Sequence, residues 1–317
     1  MGRYVLGRAA VSLPLLLTIS VIAFTFINLA PGSPIDAMIN PSVGLSPQQE
    51  QDLRVSLGLD KPLPVRYLIW LGQALQGNLG YSYNTHQPVL QRIGERLGPT
   101  LELMGAALLV STLLGIVLGI VAATHVNSFW DYALGGLSLL GFSVPGFFMA
   151  LVALYIFAAR LQILPAFGMS TGTDSVSLGD NVYHLIVPAA VLSLELMASL
   201  TRYARSAMLD VMHADYVATA RAKGLSERSV TLRHAFRTAL LPLITVVSLR
   251  LPALVGGAIV IETIFQWPGL GQLSVQAIQQ RDYPVLMGLT IMISIVVLLA
   301  NLIADVLYAL ADPRVRV

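Results

Sequence analysis

Ionisable side chains are scarce in this sequence, and one short segment concentrates them. Only 11% of the 317 residues are charged, yet DYVATARAKGLSER, residues 215–228, carries acids and bases together. Neither lysine of the chain, Lys61 or Lys223, follows a glycine, so the sequence has no Gly-Lys-Ser/Thr turn to cradle a phosphate. The five histidines have no metal-ligand spacing, and there is no cysteine for a thiolate site. The sequence therefore predicts that this chain itself binds neither ATP nor a metal ion.

The elements that must carry these charges are apolar stretches of membrane-spanning length. About 20 apolar residues cross the hydrocarbon core of a bilayer. Six segments meet or nearly meet that length: residues 9–30, 101–123, 132–159, 185–200, 239–265 and 285–310, the fourth extending a few residues further at one or both ends. Pro145-Gly146 interrupts the third, and the first is longer than a typical cleaved signal peptide, which favours a retained helix. We expect an all-α integral membrane protein of about six helices, forming one domain over residues 1–317.

The placement of basic residues predicts the orientation of these helices. With the N-terminus inside, most Lys and Arg residues of the short loops and tails are cytoplasmic. Only Arg160 and Arg281 then lie in short external loops. Both termini are therefore expected in the cytoplasm. The net charge of +2 is too small to suggest a nucleic-acid partner.

The long external loop, residues 31–98, has its own helix signals. Ser46-Pro47-Gln48-Gln49 combines a capping serine, a proline at the first helical position and a glutamine at the third. Gly58 can close that helix, and VRYLIWLGQAL, residues 65–75, is typical of an amphipathic helix at a membrane interface. Two interpretations remain open and are compatible. The loop is a docking surface for an external partner, or a lid that packs on the helix ends.

The pattern of the charged segment predicts a helix, a tight turn and a second helix. A stripe at helical spacing leads into it: Met208, Val211, Met212 and Tyr216. Gly224 can end the first helix with a left-handed cap, and Ser226 can cap the second, which would run to about Thr238. Pro242 would then open the fifth span.

Three interpretations of this segment compete. A DNA-binding helix-turn-helix is disfavoured, because a recognition helix held between two membrane spans could hardly enter a DNA groove. A basic loop that only fixes topology explains the arginines but not the paired helices, the apolar stripe or the placed glycine. A short helix presented to a cytoplasmic protein, with an apolar stripe and a charged rim, explains all of these features.

The residues DYVATARAKGL, followed by Pro242, resemble the cytoplasmic signature loop of permease subunits in binding-protein-dependent ABC importers. The Glu-Ala-Ala of that superfamily is here Ala218, Thr219 and Ala220, and the interval from Gly224 to Pro242 is 18 residues (242 − 224). Both departures are typical of the peptide branch. Other stretches resemble that branch in the expected order: LAPGSP (29–34), GLDKPLPVRYL (58–68), GNLGYS (77–82), FSVPGFF (142–148), LVGGAIVIETIFQWPGLG (254–271) and ADPR (311–314).

This resemblance, to the first of two permease subunits in a dipeptide, oligopeptide or nickel importer, covers nearly the whole chain. It implies a type I ABC importer permease fold: first span 1–30, external loop 31–98, five-helix core 99–310 with a coupling loop 202–238, and cytoplasmic tail 311–317. It also implies a homologous second permease subunit, two cytoplasmic ATP-binding subunits that use ATP and magnesium, and an extracytoplasmic solute-binding protein. The residues that would dock on the ATPase are Asp215, Tyr216, Ala218, Ala220, Arg221, Lys223, Gly224 and Leu225.

The end of the fifth span is expected, by the same resemblance, to line the translocation route or its external gate. Five residues carry this expectation: Gly256, Gly257, Glu262, Trp267 and Pro268. Gly115 and Gly119, by contrast, have the small-xxx-small spacing of ordinary close helix packing.

Two ionisable residues lie near the middle of predicted spans, Glu195 in the fourth and Arg250 in the fifth. Charges at that depth need partners, and the two spans run antiparallel, so the depths match. We expect a Glu195–Arg250 ion pair, or that one of the two faces a polar cavity.

The function that these residues favour is ATP-driven import, with peptides as first choice of substrate, then nickel, then glutathione or other small solutes. The alternative is a stand-alone secondary transporter driven by an ion gradient. Such proteins often have internal inverted repeats and acid-rich sites at mid-membrane. We find no convincing repeat, and only Glu195 and Arg250 lie at mid-membrane. A membrane-embedded hydrolase is disfavoured because no Ser/His/Asp or His/Glu set is placed near one membrane depth.

Overall fold

Helices make up almost all the regular structure in the computed structural model of the chain. The residues described are 2–29, 35, 46–56, 58–172 and 177–311. The helices in these ranges are α1 (Gly2–Leu29), α2 (Pro47–Ser56), α3 (Leu63–Ala74), α4 (Val89–Thr124), α5 (Phe129–Ser143), α6 (Gly146–Ala153), α7 (Leu178–Met212), α8 (Asp215–Ala222), α9 (Glu227–Ser229), α10 (Phe236–Ile264), α11 (Leu270–Gln279) and α12 (Tyr283–Ala311). Two π-helical stretches, Leu154–Arg160 and Val230–Ala235, continue α6 and α9. The predicted turn after the first span, residues 31–34, and the tail 312–317 lie outside the described residues.

The helices long and apolar enough to cross a membrane agree with the predicted spans. Among the described residues, four single helices are long and apolar enough to span a membrane. The number of spans rises to six if each of two bent helix pairs counts as one span. One pair is α5 with α6 and its π-helical extension, bent by 105°. Val144, just before Pro145, is extended (φ −99°, ψ 122°), as the ring of a following proline favours. The predicted interruption at Pro145-Gly146 is therefore confirmed.

Helix α4 and helix α7 are longer than their apolar cores. The sequence predicted spans at 101–123 and 185–200, whereas the helices cover Val89–Thr124 and Leu178–Met212. Hydropathy marks only the membrane-embedded part, and polar turns continue each helix beyond it. Ser177 caps α7, since the Asp180 N–H donates to its Oγ at 3.2 Å. Pro188 lies inside this continuous helix.

The chain divides into two compact units, of which the first contains residues 101–267 with the chain ends 1–5 and 299–317. Glycines let its helices α4 and α7 approach closely. A Cβ on Gly115 would lie 2.7 Å from the Leu200 Cβ, and one on Gly119 would lie 2.4 Å from the Ala204 Cβ. Side chains of ordinary size cannot occupy these positions, so the close-packing interpretation of Gly115 and Gly119 is confirmed.

An ion pair ties α5 to α7 in the same unit. Arg205 donates from Nε to Asp131 Oδ1 at 2.6 Å and from Nη2 to Oδ2 at 2.8 Å. Asp131 is buried and also accepts from the Asn127 N–H at 3.1 Å. The two-point geometry fixes the direction of both side chains as well as their distance. It therefore anchors the beginning of α5 on the helix that leads to the charged segment.

The second unit contains residues 6–100 and 268–298. Its predicted capping box is present, since the Gln49 N–H donates to Ser46 Oγ at 3.3 Å and the Ser46 N–H donates to Gln49 Oε1 at 2.9 Å. Helix α3 packs on α1 through aromatic rings, with the Tyr67 centroid 5.4 Å from that of Phe24. Packing of this kind corresponds to the lid interpretation of the external loop.

A buried carboxylate organises the hairpin 81–88 of this unit. Asp282 is fully buried, accepts a hydrogen bond from the Ser82 hydroxyl, and lies 3.6 Å from Arg92 Nη1. The Tyr83 N–H also donates to Asp282, at 3.2 Å. Burial raises the pKa of the Tyr83 hydroxyl, which keeps that side chain neutral.

Candidate functional site

The charged segment contains a separate short helix rather than the end of a longer one. Helix α7 ends at Met212, and α8 begins at Asp215 after Ala214 adopts an extended conformation (φ −74°, ψ 146°). The prediction of one helix through Tyr216 is therefore wrong. The apolar stripe continues across the break and conceals it. Asp215 in the first turn and Arg221 in the last turn both match the helix dipole of α8.

Gly224 ends α8 in the predicted left-handed conformation, with φ +78°. The Gly224 N–H donates to the Arg221 carbonyl at 2.9 Å, and the Leu225 N–H donates to the Ala220 carbonyl at 3.4 Å. These two bonds form a Schellman cap, in which the glycine position needs positive φ. A Cβ at this position would have no atom within 4 Å. Glycine is therefore required here by backbone conformation and not by lack of space.

One face of α8 anchors it on the helical core. Val217 is fully buried and Ala220 nearly so, and both pack with Val230 at the start of the π-helical stretch. The sequence predicted Ala220 as a docking residue, but the structure places it on this inner face. Val217 and Val230 were not singled out in the sequence, although Val217 lies between predicted docking residues. The anchoring holds α8 as a rigid element.

The opposite face of α8 is exposed and mixes apolar and charged groups. Five of the predicted docking residues lie there or in the turn that follows, all exposed: Asp215, Ala218, Arg221, Lys223 and Leu225. Tyr216 is exposed as well, and its hydroxyl donates to Thr238 Oγ1 at 3.1 Å. Arg221 pairs with Glu227 across the turn, with Nε 3.0 Å from Oε1.

The second helix of the segment does not end where the sequence predicted. From Glu227 the chain is helical through α9, the π-helical stretch and α10 to Ile264, without the expected end near Thr238. The helix instead bends by 49° between Leu240 and Pro242. Ser226 stands at the predicted N-cap position, although its side chain makes no capping hydrogen bond. The turn at Gly224 is thus joined directly to a long, bent helix.

The residues predicted for the translocation route divide by burial. Gly256 is exposed, and Gly257 is half-buried, where an added Cβ would lie 3.0 Å from the Leu192 side chain. Glu262 and Trp267 are wholly buried, and the Trp267 N–H donates to the Glu262 carbonyl at 2.9 Å. In this conformation both side chains are enclosed by the protein, and the main-chain hydrogen bond closes the end of α10. Pro268 is half-buried in the second unit.

Glu195 and Arg250 meet as the sequence predicted. Arg250 Nη1 lies 3.5 Å from Glu195 Oε1, and the two residues sit at the middle of α7 and α10. The pair is not enclosed by the chain, because the Glu195 side chain is 69% exposed and that of Arg250 is 38% exposed.

Comparisons with known proteins agree over the whole length. A family model described as binding-protein-dependent transport system inner membrane component matches residues 115–317, and the model of its N-terminal region matches residues 1–104. A putative peptide permease protein of Brucella suis is 46% identical over all of both chains. The oligopeptide transport system permease protein AppB of Bacillus subtilis is 40% identical over all of both chains. The dipeptide transport system permease protein DppB of Escherichia coli is 35% identical, over all of this chain and 99% of its own.

A solved structure resembles the fold. A chain of the MetNI methionine ABC transporter in an inward-facing conformation superposes with a TM-score of 0.59 and 14% identity. The match covers 70% of the present chain and 97% of that one. At this identity the likeness bears on the fold alone.

Proposed function

The chain belongs to the family of inner membrane components of binding-protein-dependent transport systems, and we propose that it forms half of the translocation pathway of an ATP-driven peptide importer. Helix α8 is the coupling helix that docks on a cytoplasmic ATPase subunit. The observation that carries this proposal is the geometry of α8: an exposed mixed face, a buried anchoring face, and a single turn, 223–226, that joins it to the helical run of α9 and α10.

Coupling follows from the rigidity of this element. When two ATPase subunits close on nucleotide, a helix held in their groove moves as a rigid body, and the spans attached to it follow. Two positions of α8 thereby select two arrangements of α7 and α10, which is alternating access. ATP and magnesium belong to the partner subunits, and this chain contributes no catalytic group.

The complete importer contains four further kinds of component in this proposal. Three of them are proteins: a homologous second permease, two ATP-binding subunits and an extracytoplasmic solute-binding protein. The fourth is the lipid membrane in which the permeases lie. Both termini and α8 face the cytoplasm, as the distribution of basic residues favours. The external loop then meets the solute-binding protein.

Peptides are the proposed substrate class. Support comes from the names of the relatives, which refer to peptide, oligopeptide and dipeptide transport. Nickel is the second candidate and glutathione or other small solutes the third. Binding of a peptide panel and of Ni²⁺ to the partner solute-binding protein distinguishes them.

Reconstitution tests the proposal directly. ATPase subunits should co-purify with this chain, and uptake of tri-alanine into proteoliposomes containing the whole importer should require ATP. The alternative, a secondary transporter, predicts uptake by this chain alone under a proton or sodium gradient. Gradient-driven uptake without ATPase subunits would refute the coupling role of α8.

A further inference from the structure

Glu195 and Arg250 form a charged pair on an open face at the middle of two spans. Glu195 is 69% exposed and Arg250 38%, so neighbouring helices of the chain do not cover them. Lipid cannot cover them at acceptable cost, because ionisable groups at the bilayer centre face a cavity, water or another protein. The face that bears this pair is therefore turned away from lipid.

The surroundings of the pair on α10 suit a path for solute. Leu249, Ala253, Gly256 and Val260 follow one another at helical spacing and are all exposed. Two of these four positions are small residues, which leave room beside the charges. Gly256 is also one of the residues that the sequence assigned to the translocation route.

The pair is held loosely in comparison with the structural ion pair of the same unit. Arg205 and Asp131 meet at two points, 2.6 and 2.8 Å apart, and Asp131 is buried. Glu195 and Arg250 approach only to 3.5 Å; the two arginines are similarly exposed, but Glu195, unlike Asp131, is not buried. A single contact of this length, with a carboxylate that the chain leaves uncovered, can exchange partners more readily than a two-point pair with a buried carboxylate. The contrast separates a fixed tie from a pair able to bind a ligand.

We propose that Glu195 and Arg250 are a binding station for the two charged ends of a peptide in transit. Glu195 accepts the terminal ammonium and Arg250 pairs with the terminal carboxylate. A neutral ion pair and a zwitterion then become two ion pairs, so no net charge enters the low-dielectric interior. This inference rests on the proposed function, and it adds a recognition step inside the membrane.

Uptake of peptides with blocked termini tests the station. In proteoliposomes with the whole importer, initial uptake of tri-alanine is compared with uptake of its C-terminal amide and its N-acetyl form. Arg250→Gln should lower uptake of free tri-alanine about tenfold relative to the amide, since a hydrogen bond between charged groups is lost only for the free acid. Glu195→Gln should have the same selective effect on the free amine relative to the N-acetyl form. The preferences of the solute-binding protein are equal in wild type and variant, so they cancel in these ratios.

Conservative variants provide the matched controls. Arg250→Lys and Glu195→Asp keep the charges and should retain most uptake of tri-alanine. If the importer does not carry a blocked peptide, the comparison of these variants with Arg250→Gln and Glu195→Gln tests the station by itself. A pair with only a structural role predicts equal loss for every peptide together with poorer assembly, and that result would overturn the station. Wild-type importer that assembles but shows no ATP-dependent uptake would instead refute the proposed function.

Accessibility of the site gives an independent measurement. The chain has no native cysteine, so Glu195→Cys can be labelled with a charged, membrane-impermeant thiol reagent. Labelling of this cysteine is expected. Leu113→Cys is the control, because Leu113 is an exposed apolar residue of α4 that should face lipid, where the thiol does not ionise. Failure to label position 195 in both resting and vanadate-trapped importer would exclude an open station.

Discussion

Replacement of Gly224 by valine is the sharpest test of the coupling helix. Gly224 has φ +78°, and nothing lies within 4 Å of the position of a new Cβ. The substitution therefore causes no clash, and its whole effect is on the backbone. A left-handed conformation costs an L-residue about 1–2 kcal/mol, and a β-branched residue is especially strained there.

The chain can respond in two ways, and both cost a similar amount. Valine can keep the positive φ and bear that strain. Alternatively the turn relaxes and loses the two capping hydrogen bonds, from Gly224 to Arg221 and from Leu225 to Ala220, each contributing about 0.5–1.5 kcal/mol. In the variant, the ratio of the capped, docking-competent turn to the relaxed turn therefore falls by a factor of about 5–30. The spans are untouched, so folding and insertion should be normal.

The assay is titration of the partner ATPase onto this permease, with its second permease subunit, in nanodiscs. Gly224→Val should weaken ATPase affinity by up to that factor and lower substrate-stimulated hydrolysis. Gly224→Asn should lie close to wild type, because asparagine tolerates the left-handed region. Gly58→Val is the matched control, since Gly58 has φ +67° and equally open surroundings but lies in the other unit. Unchanged ATPase affinity in Gly224→Val, or an equal loss in Gly58→Val, would refute the reasoning.

Three further substitutions test the packing of α8 and of the helices that lead to it. Gly119→Ala should lower the thermal stability of the detergent-solubilised protein by about 1–3 kcal/mol through overpacking, whereas Gly105→Ala, with nothing within 4 Å on the same helix, should not. Asp131→Asn should cost about 1–2 kcal/mol in the same melting experiment, because Arg205 loses its two-point partner; a melting curve unchanged from wild type would contradict the anchoring role. Val217→Ala should leave assembly intact but reduce peptide-stimulated ATP hydrolysis, since α8 loses about 1–2 kcal/mol of anchoring burial, and normal stimulation would argue against a rigid lever.

Features written in local sequence were predictable. Gly224 and the Ser46–Gln49 capping box follow from a few adjacent residues, because caps and turns depend on nearby backbone groups. The Glu195–Arg250 contact followed from depth, since two antiparallel spans bring residues at equal depth together. The interruption at Pro145 followed from the chemistry of proline.

Features that depend on tertiary packing were missed. Asp131 and Arg205 are separated by 74 residues, and no local pattern announces their pairing. The break between α7 and α8 was hidden because Met212 and Tyr216 keep helical spacing across two residues that leave the helix. The burial of Glu262 and Trp267 could not be predicted, because a residue type does not specify which way a side chain points at the end of a span.

The close approach of α4 and α7 at Gly115 and Gly119 has a mechanical consequence. With a Cβ excluded at both positions, the two backbones are in near-direct contact, and neither can rotate without carrying the other. Only two residues, His213 and Ala214, separate the end of α7 from the start of α8. If α8 couples to an ATPase as proposed, a rotation of α8 turns α4 and α7 together, and their joint stiffness sets how much of each nucleotide-driven movement reaches the other helices.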